Sequence, residues 1–250
     1  MDHFIWSNFI FGSIAACLTG LSKTGVPGVS MPGILLMMLA FPGAEKESTG
    51  AVLPLLILGD FMAIRLYRKN IQWDRILLLA VPVLLGIVIG AVLLKVVSNE
   101  RFKPILGILV LALVGFEYLR EYFQWNNIPK KKGFAWFFGW MAGFTTMFAN
   151  AGGPPMNVYM ASQSFNKEKF MSTLVWFFFL INATKLPVSL SLGMINSTTL
   201  LLDLKLLPAL ILGAIIGRRV FLLIPEAYFV KLVLLVSLIS AIGMVIPLFL

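Results

Sequence analysis

Two short segments of this sequence combine polar side chains with the glycines and prolines that interrupt helices. The first runs from Thr19 to Gly28 and the second from Thr145 to Asn157. A helix cannot continue smoothly through Gly25-Val-Pro-Gly28 or Gly152-Gly-Pro-Pro155, because proline lacks an N–H donor and glycine disfavours the helical backbone. Each break therefore leaves backbone groups without partners, and where water is excluded these groups need protein atoms or a ligand.

The chemistry best suited to such breaks is the binding of an anion. Helices that begin after them would direct N–H groups and the positive end of the helix dipole toward one point. Two sharp turns are the structural alternative, but turns alone do not explain the polar side chains that cluster there. We expect the substrate site to be formed by these residues: Ser22, Lys23, Thr24, Gly25, Asn150, Gly152, Gly153 and Asn157.

Lys23 is the most informative residue of this cluster. An unpaired ammonium within a membrane costs roughly 2.5–3.5 kcal/mol, and a bound anion would offset that cost. The alternative is a lysine at a helix end that extends its charge to the membrane surface.

Further polar residues lie inside apolar runs and are secondary candidates. Lys185 and Asn182 share one run, Gln163 ends a shorter one, and all three could contribute to substrate binding. Asp60 could carry a proton during coupling or form a purely structural pair with a lysine. Acid–base chemistry would have to use chiefly Asp60 and Asp203.

The elements that position these residues are apolar helices. The chain is 59% hydrophobic and 12% charged, with a mean hydropathy of +0.93, which excludes an ordinary soluble domain. The apolar runs show no sustained two-residue alternation, so strands are not expected. We predict an all-α polytopic membrane protein with 8–10 membrane segments, from ten apolar runs at about 4–21, 29–42, 49–67, 74–97, 102–119, 133–149, 153–164, 170–193, 200–223 and 228–249.

The two halves of the chain are related by an internal repeat. A shift of 127 residues pairs Gly12 with Gly139 and Pro27 with Pro154. The register slips by about three where Ser48-Thr49 matches Ser172-Thr173. We predict a first repeat at 1–125 and a second at 126–250, on matches that also include Phe11 with Phe138, Ala15 with Ala142, Thr19 with Thr146, Gly25 with Gly152, Gly86 with Gly213, Gly90 with Gly217 and Phe102 with Phe229.

The loop charges predict how the halves are oriented. If each Gly/Pro break joins a helical hairpin, most Lys and Arg residues fall on one side, in the loops near 68–75, 120–132, 165–169 and 218–219. That arrangement satisfies the positive-inside rule with both termini outside. Each half then crosses the membrane an odd number of times, so the second half is inverted. Inverted repeats with interrupted helices are typical of secondary transporters.

Several other functions are disfavoured by the composition. The net charge of +9 is concentrated in short loops, which indicates membrane topology rather than nucleic-acid binding. The one cysteine and one histidine, Cys17 and His3, cannot form a disulfide, a metal cluster or a Ser-His-Asp triad. There is no Walker loop and no cleavable signal peptide is recognisable. We expect no enzymatic activity and no cofactor.

The repeat arrangement and the segment Ala151-Gly-Gly-Pro-Pro155 resemble the TauE/SafE sulfite exporter family over nearly the whole chain, from about Phe9 to Ile246. The resemblance implies a transporter in the bacterial plasma membrane that moves sulfite, an organosulfonate such as sulfoacetate, or another small organic anion. The first break departs from the family, which typically has a glycine cluster where this chain has Ser22-Lys-Thr-Gly-Val-Pro-Gly28. Lys23 changes the charge of the site and thereby the expected substrate.

We therefore expect a secondary carrier for a small anion, embedded in the lipid bilayer and coupled to H⁺, to Na⁺ or to no ion. The alternatives are an anion channel that uses the same breaks as a constriction, and a membrane subunit without transport activity. A homodimer is compatible with the sequence, which does not require one.

Overall fold

The computed structural model describes residues 2–41, 45–98 and 132–245, together with scattered positions between 101 and 119. All regular structure in these residues is helical, as predicted. The predicted run 102–119 and the loop 120–132 lie mostly outside the described residues. The helices are α1 Asp2–Thr24, α2 Met31–Leu39, α3 Glu45–Leu66, α4 Trp73–Val96, α5 Lys132–Ala149, α6 Gly153–Ser162, α7 Lys167–Ser191, α8 Ser197–Leu223 and α9 Glu226–Val245.

Four of these helices are long and apolar enough to cross a membrane, namely α3, α4, α7 and α8. Their lengths of 22 to 27 residues correspond to about 33–40 Å, against a hydrocarbon core of about 30 Å. Large apolar side chains such as Leu77, Val88 and Leu204 are exposed along α4 and α8, where lipid would cover them. The chain is therefore a multi-pass membrane protein.

The helices that follow the two breaks, α2 and α6, are much shorter. They contain 9 and 10 residues, or about 14–15 Å, which is half the thickness of the hydrocarbon core. Each packs against the long helix that precedes it, α2 on α1 and α6 on α5. Both breaks therefore form hairpins with one short arm. The interrupted backbone lies inside the protein, where its unpaired N–H and C=O groups are kept away from lipid.

Glycines bring two pairs of helices into close contact, α1 with α8 and α4 with α5. A Cβ at Gly213 would overlap the Cys17 carbonyl oxygen, and one at Gly12 would press on Leu206. The equivalent residues, 127 positions away, make the same two contacts between α4 and α5. Gly86 packs against Phe144, and Gly139 packs against Leu79. The glycine motifs Gly86-x-x-x-Gly90 and Gly213-x-x-x-Gly217 thus make close helix packing, as their spacing predicts.

The central pair, α3 and α7, is antiparallel. Gly50 near the start of α3 packs against Met194 just beyond α7, whereas Asp60 and Phe61 near its end contact Asn182 and Phe179. These two helices are repeat equivalents, so their opposite directions support the prediction of inverted halves. The boundary between residues 125 and 126 lies outside the described residues.

Most of the basic loop residues that the structure describes lie at one end of the helices. The Lys167 ammonium donates to the Ile224 carbonyl at 2.9 Å, and the Gln72 amide donates to the Thr173 hydroxyl at 3.1 Å. These contacts bring the loops near 68–75 and 165–169 together with the end of α8, which carries Arg218 and Arg219. Their common location is the one that the charge pattern predicts.

The glycine contacts lead to a first prediction. Gly213→Ala and Gly86→Ala will each lower the melting temperature of the purified protein, because the added methyl group overlaps backbone of the neighbouring helix; overpacking of this kind costs about 1–3 kcal/mol. The measurement is thermal unfolding in detergent, monitored by size-exclusion chromatography. Gly133→Ala is the matched control, since a Cβ there meets nothing within 4 Å. Equal melting temperatures for all three variants would contradict the packing.

Candidate functional site

A cavity lies between the two breaks, at the centre of the helices. It leaves about 50 Å³ to the centres of water-sized molecules, which is room for a few waters in this conformation. Both breaks contribute to its wall, and α3 and α7 close its sides. The predicted residues on the wall are Ser22, Lys23, Asp60, Asn150, Gly153, Asn157 and Asn182, joined by Pro27, Gly28, Ser30, Leu56, Thr146, Met171, Leu174, Val175 and Phe178.

Lys23 forms an ion pair with Asp60 in this cavity. Its ammonium lies 2.6 Å from Asp60 Oδ1, and the carboxylate is completely buried. The other carboxylate oxygen accepts a hydrogen bond from Asn182 Nδ2 at 2.7 Å. The ammonium also lies 4.9 Å from the ring centroid of Phe178, in a cation–π contact. The charge of Lys23 is thus compensated inside the protein and does not extend to the membrane surface.

Lys185 is held differently, by neutral oxygens alone. Its ammonium donates to the Thr146 carbonyl at 2.7 Å, to the Thr146 hydroxyl at 3.3 Å and to Asn150 Oδ1 at 2.6 Å. These three acceptors match the three protons of an ammonium, so no donor of Lys185 remains for a ligand. We infer that this residue positions the second break rather than touching substrate.

Asn150 is the residue that Lys185 holds in place. Its φ of 54° lies in the left-handed region, which asparagine tolerates better than most side chains. Its Nδ2 donates to the Thr49 carbonyl at 2.8 Å, which ties the end of α5 to the start of α3. The side-chain oxygen and nitrogen of Asn150 are therefore both hydrogen-bonded.

The two breaks use equivalent positions for different chemistry. Lys23 and Asn150 are 127 residues apart, and each contacts an ionisable residue on the third helix of its own half. In the first half an ammonium faces the Asp60 carboxylate, and in the second an amide faces the Lys185 ammonium. The cavity wall therefore carries one cation, Lys23, which is paired with the Asp60 carboxylate, while Lys185 lies behind the second break and bonds to neutral oxygens.

Two amide oxygens at the cavity lack hydrogen-bond partners among the described residues. They are Oδ1 of Asn157 and Oδ1 of Asn182, both buried. Asn157 Nδ2 donates to Ser237 Oγ at 3.0 Å, and Ser237 lies on α9. Ser237 was not predicted, and the one signal for it was a serine inside the apolar run 228–249. An unpartnered buried acceptor is unfavourable by about 1–3 kcal/mol, so water or a ligand donor would stabilise this wall.

Some predicted residues lie behind the cavity wall and support the breaks. The Thr24 hydroxyl donates to the Ala214 carbonyl at 2.6 Å, and Gly25 packs directly on Gly217. Gly152 packs against Thr146.

Gln163 follows the last turn of α6, where its Nε2 donates to the Ser162 hydroxyl at 3.0 Å. It does not belong to the cavity wall.

Few backbone donors are available at the N-terminus of α6. Pro154 and Pro155 have no N–H, and the Met156 amide bonds to the Gly152 carbonyl at 3.3 Å. Of the first turn, only the Gly153 amide is left for a ligand. Most of the N–H groups expected at the start of α6 are therefore missing or already bonded, and the positive charge at the cavity comes mainly from Lys23.

The Lys23–Asp60 contact leads to a second prediction. Lys23→Met or Asp60→Leu alone will destabilise the protein by about 3–5 kcal/mol, because each leaves the opposite charge buried and unpaired. The double variant will lose less than the sum of the two, by a coupling free energy of about 0.5–3 kcal/mol. Unfolding in detergent measures all three, with Lys231→Met, an exposed lysine on α9, as control. Additive losses would show that no ion pair exists.

Comparison with known proteins agrees with this architecture. The family model described as "Sulfite exporter TauE/SafE" matches residues 8–244. No curated protein and no solved structure matches the chain. The matched segment includes both breaks and every helix that lines the cavity. The chain belongs to the TauE/SafE sulfite exporter family.

Proposed function

We propose that this protein is a secondary carrier that moves a small anion across the bacterial plasma membrane by alternating access. The observation that supports it most directly is Lys23, whose side chain is 11% exposed at a cavity between the two breaks. Family membership supports membrane transport of an anion such as sulfite. The Lys23 ammonium at the cavity wall would bind sulfite, an organosulfonate such as sulfoacetate, or a small carboxylate.

The charge distribution supports an orientation for the carrier. The end of the bundle that holds Arg65, Arg68, Lys69, Arg218 and Arg219 would face the cytoplasm, because basic loops are retained on that side. Both chain termini would then lie outside.

The substrate would compete with Asp60 for Lys23. Among the described residues, Asp60 is the one polar partner of the Lys23 ammonium. An entering anion must therefore share this ammonium with the Asp60 carboxylate or displace that carboxylate. Two anionic groups around one ammonium repel each other, and protonation of Asp60 relieves that repulsion. Anion binding would thereby favour proton uptake by Asp60, which couples the two movements in the same direction.

A sodium ion fits this site less well than a proton does. Carboxylate and amide oxygens are suitable ligands for a hard cation, but the Lys23 ammonium already occupies the position beside Asp60 at 2.6 Å. A sodium ion there would face the ammonium directly. The geometry thus favours H⁺ over Na⁺ as the coupling ion.

The basic test is flux in proteoliposomes. We expect saturable uptake of at least one anion from a panel of sulfite, sulfoacetate, lactate and phosphate, and little uptake of taurine, whose net charge is zero. Lys23→Ala will lower this uptake about tenfold or more, because a hydrogen bond to a charged group contributes about 1.5–3 kcal/mol. Lys231→Ala, with the exposed lysine of α9, is the matched control.

Other outcomes of that assay identify other functions. Flux that does not saturate and shows no exchange with unlabelled anion on the opposite side would indicate a channel. The absence of any flux from folded protein, under imposed proton and sodium gradients, would indicate a subunit that acts with a partner.

The role of Asp60 is tested by Asp60→Asn, which resembles the protonated carboxyl. This variant will retain exchange of labelled for unlabelled anion but lose accumulation driven by a pH gradient, since it cannot release a proton. Asp203→Asn is the control, because Asp203 is a second buried carboxyl that lies outside the cavity wall. Accumulation driven by pH in Asp60→Asn, or its loss only in Asp203→Asn, would refute the coupling role.

A further inference from the structure

An apolar groove with a basic rim runs along α3 and α8 at the basic end of the protein. It has a volume of about 440 Å³, and its walls are mainly apolar atoms. Thr24 lies at its inner side. The walls are formed by Met62, Leu66, Ala214 and Ile215, and the rim by Arg65, Arg218 and Arg219.

A second pocket adjoins this groove and shares Arg65, Leu66 and Arg218 with it. Its remaining charged residues are Arg68, Lys69 and Glu168. The two pockets together thus present five cations and one carboxylate. Within the part of the chain that the structure describes, none of the five cations belongs to an ion pair. Such a concentration of unpaired positive charge at the end of membrane-spanning helices attracts anionic groups.

Arg218 is held in place by two aromatic rings. Its guanidinium lies 5.1 Å from the ring centroid of Tyr67 and 5.4 Å from that of Phe221. The two rings pack edge to face, with centroids 4.9 Å apart, and the Tyr67 hydroxyl donates to the Thr24 carbonyl at 2.5 Å. The conformational freedom that a long arginine loses on binding an anion is therefore already restricted.

We propose that this groove binds one anionic phospholipid. The phosphate would contact Arg65, Arg218 and Arg219, and an acyl chain would lie against Met62 and Ile215. Two features support this occupant over others. The rim stands at the ends of two membrane-spanning helices, where headgroups are found, and the apolar wall continues from there along both helices toward the membrane interior. Basic pockets between helices at the cytoplasmic side are a known mode of lipid headgroup binding.

Other occupants account for only one half of the site. A soluble anion such as free phosphate would satisfy the arginines but leave the apolar wall uncovered. A zwitterionic phospholipid would cover the wall but would not neutralise the excess positive charge. The proposal concerns binding alone and does not depend on which substrate the carrier moves or on whether it transports at all.

The test uses the purified, delipidated full chain in neutral detergent. Native mass spectrometry will count bound lipid during titration with phosphatidylglycerol, phosphatidylethanolamine or inorganic phosphate. We expect one phosphatidylglycerol bound with clear preference over phosphatidylethanolamine, and no competition by inorganic phosphate at equal concentration. Arg65→Gln/Arg218→Gln/Arg219→Gln will weaken phosphatidylglycerol binding about 100-fold, as expected for three basic residues near a headgroup.

Two further variants keep this test decisive. Ile215→Trp retains the arginines but fills the groove, so it too will weaken phosphatidylglycerol binding. Lys46→Gln/Lys95→Gln removes two cations from the opposite end of the helices and will leave binding unchanged. The proposal is overturned by unaltered phosphatidylglycerol binding in the arginine variant or in Ile215→Trp, by equal binding of the two lipids, or by competition from free phosphate, which would identify a site for soluble anions.

Discussion

The buried ion pair between Lys23 and Asp60 is the interaction around which this molecule is organised. A lone charge within a membrane is strongly unfavourable, and at the cavity each of these two residues compensates the charge of the other. The pair joins the end of α1 to α3, and through Asn182 it also reaches α7. The same contact thus holds three helices together and keeps a cation available between the two breaks.

The rest of the fold allows this pair to lie at the centre. Tight glycine contacts hold α1 against α8 and α4 against α5, which forms two equivalent outer units. The antiparallel α3 and α7 lie between them and carry the ionisable residues. Because the same contacts occur in both outer units, a movement of one outer unit would have an equivalent in the other. Rocking of such units about a central site is the usual basis of alternating access.

Much of the helical architecture was predictable, because apolar runs and Gly/Pro breaks are local signals. Nine predicted runs correspond to described helices, although α1 continues to Thr24 instead of ending near residue 21. The polar residues Ser22, Lys23 and Thr24 suggested an earlier end. The helix accommodates them because the Thr24 hydroxyl donates to the Ala214 carbonyl of α8 and a lysine is favourable in a last turn.

The different roles of the residues within the site were much less predictable. Lys23 and Lys185 both looked like cations for a substrate, and nothing local distinguishes them. The difference lies in partners distant in sequence, Asp60 for the first and Thr146 with Asn150 for the second. Asn157 and Ser237, 80 residues apart, meet for the same reason. The sequence pattern identifies polar residues in apolar runs, whereas tertiary packing decides which of their hydrogen-bond donors and acceptors remain free for a ligand.

The chemical difference between Lys23 and Asn150 has a consequence for transport. Two identical inverted halves would give inward-open and outward-open states of equal energy. Here the ammonium and its carboxylate belong to the first half, while the second half holds a lysine that neutral oxygens saturate. In the proposed carrier the two states would therefore differ in energy without substrate, and an anion bound at Lys23 would change that difference.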